Sequence, residues 1–264
     1  MKIRMLAVMG LLAGTLLLSA CAAGVQFKGF SATSRKEITL EGTLYKPEGK
    51  GPFPAIVLMH TCSGINEPLL SQAWKIHQWG YVVLVMDSFG PRNITETCSG
   101  KATIAMADRA MDAHSGKAYL AGLPFVDRDK VAIIGWSYGA TTALNALNPK
   151  LADALPLADR HPFRAAAAYY PNCNIALDKL QAPLLILIGE KDDWSSADRC
   201  RQRLPPPGKG SHEVTLKIYP GAYHSFDRAG LRPGYYFGHY LAHDAQAEAD
   251  ASQQLHDFLA RHLK

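Results

Sequence analysis

Several features typical of other protein classes are scarce or missing in this chain. Its Lys and Arg residues are scattered rather than gathered into a basic run, and the formal net charge over 264 residues is only +5. This pattern argues against nucleic acid as a partner. No His, Asp or Glu residues cluster with the spacing of metal ligands, so we predict neither a metal nor another cofactor. Internal repeats and low-complexity tracts are also absent.

Long apolar runs are confined to the N-terminus. Residues 1–20 start with the basic MKIR, continue with MLAVMGLLAGTLLL and end directly before Cys21. The run is too short for a membrane-spanning helix and is typical of a secretory signal peptide. The sequence LSAC is similar to the lipobox of bacterial lipoproteins, in which the cysteine is lipidated; the alternative is a plain secretory signal in which Cys21 is incidental.

We therefore predict a lipoprotein signal peptide over residues 1–20, a lipidated N-terminus and tether over 21–35, and a single domain over 36–264. The protein is then an exported bacterial lipoprotein that faces the periplasm and contacts the membrane through its lipid anchor. Ala22, rather than Asp, follows the cysteine, which is similar to lipoproteins sent on to the outer membrane.

The segment 36–264 has the pattern of one α/β domain. Apolar runs of strand length, such as Ala55–His60 and Val131–Gly135, alternate with stretches of helical spacing. Strands that are apolar throughout are typical of a mostly parallel central sheet with helices on both faces. The alternating KEITLEGTLYKP predicts an edge strand, and a terminal helix is predicted over Ala245–Leu263.

A serine stands between two glycines where one of these strands meets a helix pattern, in GWSYGA. Ser137 has the position of the G-x-S-x-G nucleophile elbow, a sharp turn at the carboxyl edge of a parallel sheet. Such a turn needs small residues on both sides, and Gly135 and Gly139 supply them. The alternative is a glycine-rich turn with a solvated serine. A nucleophilic serine needs a base, so the motif predicts an acid and a histidine further along the chain.

Two later loops supply these partners in the chain order Ser, Asp, His, which is typical of enzymes that have this elbow motif. Asp192 and Asp193 both follow the strand LLILIG, and we favour Asp192 because it stands three residues after Gly189. His224 follows the next strand, and among ten histidines it alone has both the order and the loop position. We predict that His224 is the base and that Asp192 orients its ring.

The oxyanion of acyl transfer needs two hydrogen-bond donors. We predict the backbone N–H of Tyr138, directly after the nucleophile, and that of Cys62 in the loop HTCSG. His60, at the start of this loop, is predicted to orient it by hydrogen bonding, with a place in the substrate pocket as the alternative.

Four cysteines remain once Cys21 is set aside, and an even number favours two disulfides in an exported chain. In the predicted topology Cys62 and Cys98 follow neighbouring strands, and so do Cys173 and Cys200. We predict these two pairs, of which the first pins the oxyanion loop in place.

The motifs HTCSG, GYVVLVMDSFGPR, GWSYGA, GEKDDW and YPGAYHSF together resemble the dienelactone hydrolase family of the α/β-hydrolase superfamily, over roughly Lys36 to Leu263. The resemblance implies the α/β-hydrolase fold and a cofactor-free hydrolase that acts on esters or lactones through an acyl-enzyme. The founding family members have a cysteine at the elbow, where this chain has Ser137. A serine there fits general carboxylic ester hydrolysis better.

Three residues are candidates for the substrate pocket: His60, Trp136 and Arg92. Arg92 either meets a substrate carboxylate or fixes its own loop, and Trp136 either lines the pocket or packs beneath the elbow. The aromatic segment Asp227–Tyr240 is predicted to be a partial lid or a fixed surface crossing.

These observations predict an envelope-anchored carboxylic ester hydrolase whose substrate is a small ester or lactone. One alternative is a peptidase-like amide hydrolase, but the chain has no room for the large extra domain that such relatives usually carry. The other is a non-catalytic, lipid-anchored binding protein, against which the complete set of Ser, Asp and His argues.

Overall fold

The computed structural model describes residues 22–154, 156, 161–206 and 208–264. The predicted signal peptide and Cys21 lie outside these residues. Among the helices in the described ranges, none is both long enough and apolar enough to cross a membrane.

An eight-stranded sheet runs through the middle of the molecule. In chain order its strands are β1 (Ala23–Ser31), β2 (Lys36–Tyr45), β3 (Phe53–Met59), β4 (Val82–Asp87), β5 (Val126–Trp136), β6 (Ala166–Tyr169), β7 (Leu184–Gly189) and β8 (Val214–Tyr219). Their order across the sheet is β1-β2-β4-β3-β5-β6-β7-β8. The pairs β1–β2 and β2–β4 are antiparallel and the other pairs are parallel, which confirms the mostly parallel sheet.

Helices cover both faces of this sheet. They are α1 (Glu67–Gln78), α2 (Met106–Ala121), α3 (Tyr138–Ala146), α4 (Pro149–Ala154), α5 (Ala197–Arg203) and α6 (Ala245–Leu263). The consecutive residues Ala55–Met59 of β3 have no exposed surface. Because successive strand residues point to opposite faces, both faces must be covered, which explains the continuous apolar run in the sequence.

Side-chain caps fix where two of the helices begin. Asn66 accepts the N–H of Leu69 at the start of α1. Asp244 accepts the N–H groups of Gln246 and Ala247 at the start of α6. Such caps satisfy N–H groups that the first turn of a helix leaves unpaired, so the terminal helix begins at the predicted residue.

The N-terminal edge of the sheet differs from the prediction. We predict a tether over residues 21–35 and an edge strand from Lys36, but β1 forms the edge and β2 lies inside it, so both expectations are wrong. In β1 the apolar Val25 and Phe27 alternate with polar residues, as in a strand with one buried face. The ring of Phe27 stacks on that of Tyr119 in α2, with centroids 4.5 Å apart. Burial of this face holds the segment in the sheet.

The parallel strands bring the predicted site residues to one edge. β5 ends at Trp136, directly before Ser137, while β7 and β8 end shortly before Asp192 and His224. Because the carboxyl ends of parallel strands meet at the same edge, the three loops converge there.

Candidate active site

Ser137 is held at a strained turn between β5 and α3. Its φ of 52° and ψ of −113° lie outside the regions that most residues adopt. A Cβ on Gly135 would lie 2.2 Å from the backbone of Gly139, and one on Gly139 would lie 2.1 Å from the carbonyl oxygen of Met59. Neither position has room for a side chain. The two glycines therefore allow the close approach that holds Ser137 at the sheet edge.

The side chains of Ser137, His224 and Asp192 form one hydrogen-bonded chain. His224 Nε2 lies 3.0 Å from Ser137 Oγ, and His224 Nδ1 lies 2.8 Å from Asp192 Oδ2. His224 and Asp192 are buried, with 2% and 6% of their surfaces exposed. A carboxylate only accepts hydrogen bonds, so Nδ1–H donates to Asp192 and Nε2 is left as the acceptor for the Ser137 hydroxyl.

The geometry separates the two neighbouring aspartates. The second oxygen of Asp192 accepts the N–H groups of Trp194 and Ser195 at 3.0 and 2.7 Å, which fixes the carboxylate toward His224. Asp193 instead accepts the N–H of Tyr240 at 3.2 Å. Of the two, Asp192 contacts His224 and Asp193 anchors a neighbouring segment.

Two disulfides join loops at this edge of the sheet. Cys62 is bonded to Cys98 and Cys173 to Cys200, so both predicted pairs are confirmed. The carbonyl of Cys62 also accepts the N–H of Thr97 at 2.8 Å, a second link between the same two loops. The loop after β3 is thus fixed by a covalent bond and a hydrogen bond.

The two predicted oxyanion donors belong to different elements of the fold. Cys62 belongs to the loop after β3, and Tyr138 is the first residue of α3. Neither N–H group donates a hydrogen bond to another described residue. Both residues line the cavity that also borders Ser137.

His60 supports the loop and does not reach the substrate space. It is fully buried; its Nδ1–H donates to the carbonyl of Thr61 at 2.7 Å, and its Nε2 accepts the N–H of Ser88 at 3.3 Å. Burial, together with the neighbouring Arg109 cation, lowers the pKa of His60 well below its usual value, so the ring is neutral. Because both ring nitrogens are used by backbone groups, the pocket alternative for His60 is wrong.

Arg92 is not a pocket residue either. Its guanidinium makes two hydrogen bonds of 2.9 Å to the buried carboxylate of Asp112 on α2 and a third to the carbonyl of Ser88. The prediction that Arg92 meets a substrate carboxylate is therefore wrong, and the alternative, a fixed loop, applies. Burial raises the pKa of Asp112 to about 6 even though Arg92 opposes the shift.

Two cavities meet at Ser137, and Cys62, Cys98, Ser137 and Trp194 line both. The first, of about 100 Å³, borders His224, and its lining includes five aromatic residues, namely Trp136, Tyr170, Trp194, Tyr236 and Phe237. Of the two alternatives for Trp136, the structure has it lining this cavity. The second, of about 310 Å³, borders Tyr138, and its lining includes the polar residues Thr97, Thr103, Thr141, Asn172 and Ser195.

A short hairpin closes part of the first cavity. Its strands are β9 (Gly234–Tyr236) and β10 (His239–Leu241), which pair antiparallel. Tyr236 and Phe237 line the cavity, and a backbone bridge joins Leu241 to His224. The segment predicted as a lid or a surface crossing therefore forms part of the cavity wall.

Sequence reasoning missed a buried carboxylate beside the site. Asp227 accepts hydrogen bonds from Trp136 Nε1 at 2.6 Å and from the Tyr170 hydroxyl at 2.8 Å, and the Tyr170 ring centroid lies 4.5 Å from that of His224. Burial raises the pKa of Asp227. Its place in the same loop as His224 is the signal that could have found it. No three His, Cys, Asp or Glu side chains within the described ranges are grouped so as to hold a metal ion.

The sheet order, the turn at Ser137 and the chain order of Ser, Asp and His define an α/β-hydrolase fold. A model of the dienelactone hydrolase family matches residues 40–263. The chain belongs to the dienelactone hydrolase family and is a hydrolase of that family, as the resemblance of its motifs implies.

Known proteins agree with this assignment. The chain is 27% identical over 202 residues to a protein of Azospirillum brasilense that carries the name carboxymethylenebutenolidase. The alignment covers 70% of this chain and 81% of that protein. A dienelactone hydrolase-like promiscuous phosphotriesterase from metagenomic libraries superposes with a TM-score of 0.66 at 21% identity, covering 92% of this chain and 99% of that one. Esterase 2 of Thermogutta terrifontis gives a TM-score of 0.67 at 18% identity, covering 91% and 94%. These two structures share the fold.

Proposed function

We propose that the protein hydrolyses carboxylic esters or lactones through an acyl-enzyme formed on Ser137. The proposal is carried by the hydrogen-bonded chain from Ser137 through His224 to Asp192. A serine hydroxyl is weakly nucleophilic, and a histidine that takes its proton as the oxygen attacks makes it reactive. Membership of a hydrolase family supports the same chemistry.

In the first half-reaction Ser137 Oγ bonds to the carbonyl carbon while its proton passes to His224 Nε2. The carbonyl oxygen becomes an oxyanion, which the N–H groups of Cys62 and Tyr138 stabilise. Collapse of this intermediate breaks the bond to the alcohol oxygen, which takes the proton from His224. In the second half-reaction His224 takes a proton from water, the hydroxide attacks the acyl carbon, and Ser137 leaves with the proton. The carboxylate of Asp192 stabilises the imidazolium at each step.

The two cavities suggest how the substrate lies. The leaving oxygen must be within reach of His224 Nε2, and His224 borders the aromatic first cavity. The alcohol part of the substrate then lies against Trp136, Tyr236 and Phe237. The acyl part extends past Tyr138 into the second cavity, whose lining includes threonine, serine and asparagine residues. This arrangement favours esters of an apolar or aromatic alcohol.

We also propose that the protein acts at the bacterial envelope, anchored by a lipid on Cys21. The basic start, the apolar run and the LSAC sequence support this proposal. Disulfides persist in oxidising compartments, so the two bonds of the folded domain fit an exported protein. Incorporation of labelled palmitate in cells, and its loss in Cys21→Ser, would test the anchor.

The central experiment compares residues 22–264 with the same protein carrying Ser137→Ala on p-nitrophenyl esters from short to long and on simple lactones. We expect turnover by the first protein and a loss of several orders of magnitude in the variant. A fluorophosphonate should label Ser137 in the first protein and leave the variant unlabelled. Equal, negligible rates together with no labelling would refute the proposal and leave a binding role for the fold.

A further inference from the structure

A fully buried arginine contacts both segments that present the proposed oxyanion donors. Arg109 lies on α2 with no exposed surface. Its Nη2 donates to the carbonyl oxygen of His60 at 2.7 Å, two residues before Cys62. Its guanidinium carbon also lies 4.5 Å from the centroid of the Tyr138 ring, within the range of a cation–π contact. One side chain therefore touches the loop after β3 and the first residue of α3.

This arrangement is costly for stability alone. The Nε and Nη1 groups of Arg109 are buried and have no hydrogen-bond partner among the described residues. Asp112, one turn further along α2, is engaged by Arg92. Burial lowers the pKa of Arg109 to about 10, which still leaves the side chain charged at neutral pH. Buried cations without full pairing destabilise a fold, and an apolar side chain of similar volume would pack at lower cost.

The surroundings restrict how these segments can move relative to each other. The Tyr138 hydroxyl donates to the carbonyl of Ile104 at 2.8 Å, which fixes the ring beside Arg109. A Cβ on Gly139 would lie 2.7 Å from the carbonyl oxygen of His60, the atom that Arg109 binds. The His60 carbonyl is thus held between the guanidinium and the start of α3, and its position sets the separation of the loop from the helix.

We propose that Arg109 is a positioning residue for the oxyanion hole. Its guanidinium holds the loop with Cys62 and the helix start with Tyr138 at a fixed separation, and it places a positive charge behind the two donors. Pre-formed donors stabilise an oxyanion because they need no reorganisation during the reaction. This inference rests on the proposed ester hydrolysis, since it concerns the same site.

The test compares Arg109→Met and Arg109→Lys with Lys117→Met. Lys117 is a matched control because it is also a buried cation on α2 whose ammonium group donates to a backbone carbonyl, that of His161, outside the site. Each variant of the full chain is measured for kcat and KM on the best ester of the panel, for inhibition by phenylboronic acid, and for thermal unfolding. The boronate forms a tetrahedral anion on the serine and so reports on the oxyanion hole.

We expect Arg109→Met to lower kcat about 100-fold, the size of the loss of one oxyanion donor, with KM changed less than about threefold. Its affinity for phenylboronic acid should fall by a similar factor. The kcat of Arg109→Lys should be about tenfold higher than that of Arg109→Met. Lys117→Met should lower the unfolding temperature and keep kcat within about threefold of the parent protein.

Two results would overturn the inference. One is an Arg109→Met protein that keeps the kcat and boronate affinity of Lys117→Met. The other, decisive if Arg109→Met does not fold, is an Arg109→Lys protein with unchanged kcat and boronate affinity. Failure of the proposed function is a separate result, because the parent protein would then show neither ester turnover nor labelling of Ser137.

Discussion

At the scale of single residues, neighbouring side chains of the same type have different contacts in the site. Asp192 and Asp193 are adjacent and identical in chemistry, yet two backbone N–H groups turn the first toward His224 while the second binds the hairpin. A triad acid acts by fixing the tautomer of its histidine and by stabilising the imidazolium. This action requires direct contact with the ring.

The two aspartates therefore form a matched pair for mutation. We expect Asp192→Asn to lower kcat by about 10⁴-fold, because an amide no longer enforces the tautomer that leaves Nε2 free to accept a proton. Asp193→Asn should change kcat less than about threefold. Steady-state kinetics on one ester measures both, and thermal unfolding of each variant checks that it is folded. Similar losses in the two variants would contradict the assignment.

The same contacts show how far the sequence determines the site. Ser137 and His224 could be predicted because each follows a strand, and the strand pattern fixes which edge of the sheet carries them. The places of Arg92 and His60 could not, because their partners Asp112 and Ser88 are remote in sequence and local patterns say nothing about them. Arg109 was missed for the same reason, since its role depends on a carbonyl 49 residues away.

At the scale of elements, the two disulfides have different surroundings. Cys62–Cys98 is partly exposed and lies at the junction of both cavities, whereas Cys173 and Cys200 are buried at 1% and 0% exposure. The first joins the loop that carries a proposed oxyanion donor to the loop after β4. The second joins the loop after β6 to α5. We therefore expect Cys62–Cys98 to affect the reaction and Cys173–Cys200 to affect the stability of the fold.

Replacing each pair by serines should separate these roles. Removal of Cys62–Cys98 should lower kcat about tenfold, less than the loss of a whole donor because the hydrogen bond from Thr97 to the loop remains. Removal of Cys173–Cys200 should keep kcat within about threefold and cost about 2–5 kcal/mol in the free energy of unfolding. Kinetics and denaturant unfolding of both double variants provide the measurements. Equal effects on kcat would refute the distinction.

The hairpin allows a second comparison, between adjacent aromatic residues. Phe237 lines the first cavity, whereas Tyr235 does not and is 76% exposed. We expect Phe237→Ala to raise KM about tenfold for esters of aromatic alcohols and to leave methyl esters of the same acid almost unchanged. Tyr235→Ala should affect neither series. An effect of Phe237→Ala that followed the acyl group instead would reverse the assignment of the two cavities.

At the scale of the whole molecule, the short connection before β1 bears on how the domain would lie on a membrane if Cys21 carries the proposed lipid. A tether over residues 21–35 would let the domain move freely above a bilayer. Because β1 begins at Ala23, only Ala22 separates the sheet from Cys21, and the two extended steps from Cys21 to Ala23 span about 7 Å. If Cys21 carries the proposed lipid, the β1 edge of the domain lies against the membrane surface, while β8 forms the opposite edge.

Lysine modification of the lipidated protein in vesicles tests this orientation. Lys28 is on β1 with an 86% exposed side chain, and Lys209, an exposed residue shortly before β8, is the control near the other edge. Acetylation of Lys28 should be severalfold slower in the lipidated protein on vesicles than in unlipidated Cys21→Ser protein in solution, because the bilayer blocks access to Lys28. Lys209 should be acetylated at the same rate in the two samples. A flexible Gly/Ser linker of about twelve residues inserted before Ala23 reaches roughly 20 Å, so it should restore the rate at Lys28. Full reactivity of Lys28 on vesicles without the linker would show that the short connection does not hold the domain against the membrane.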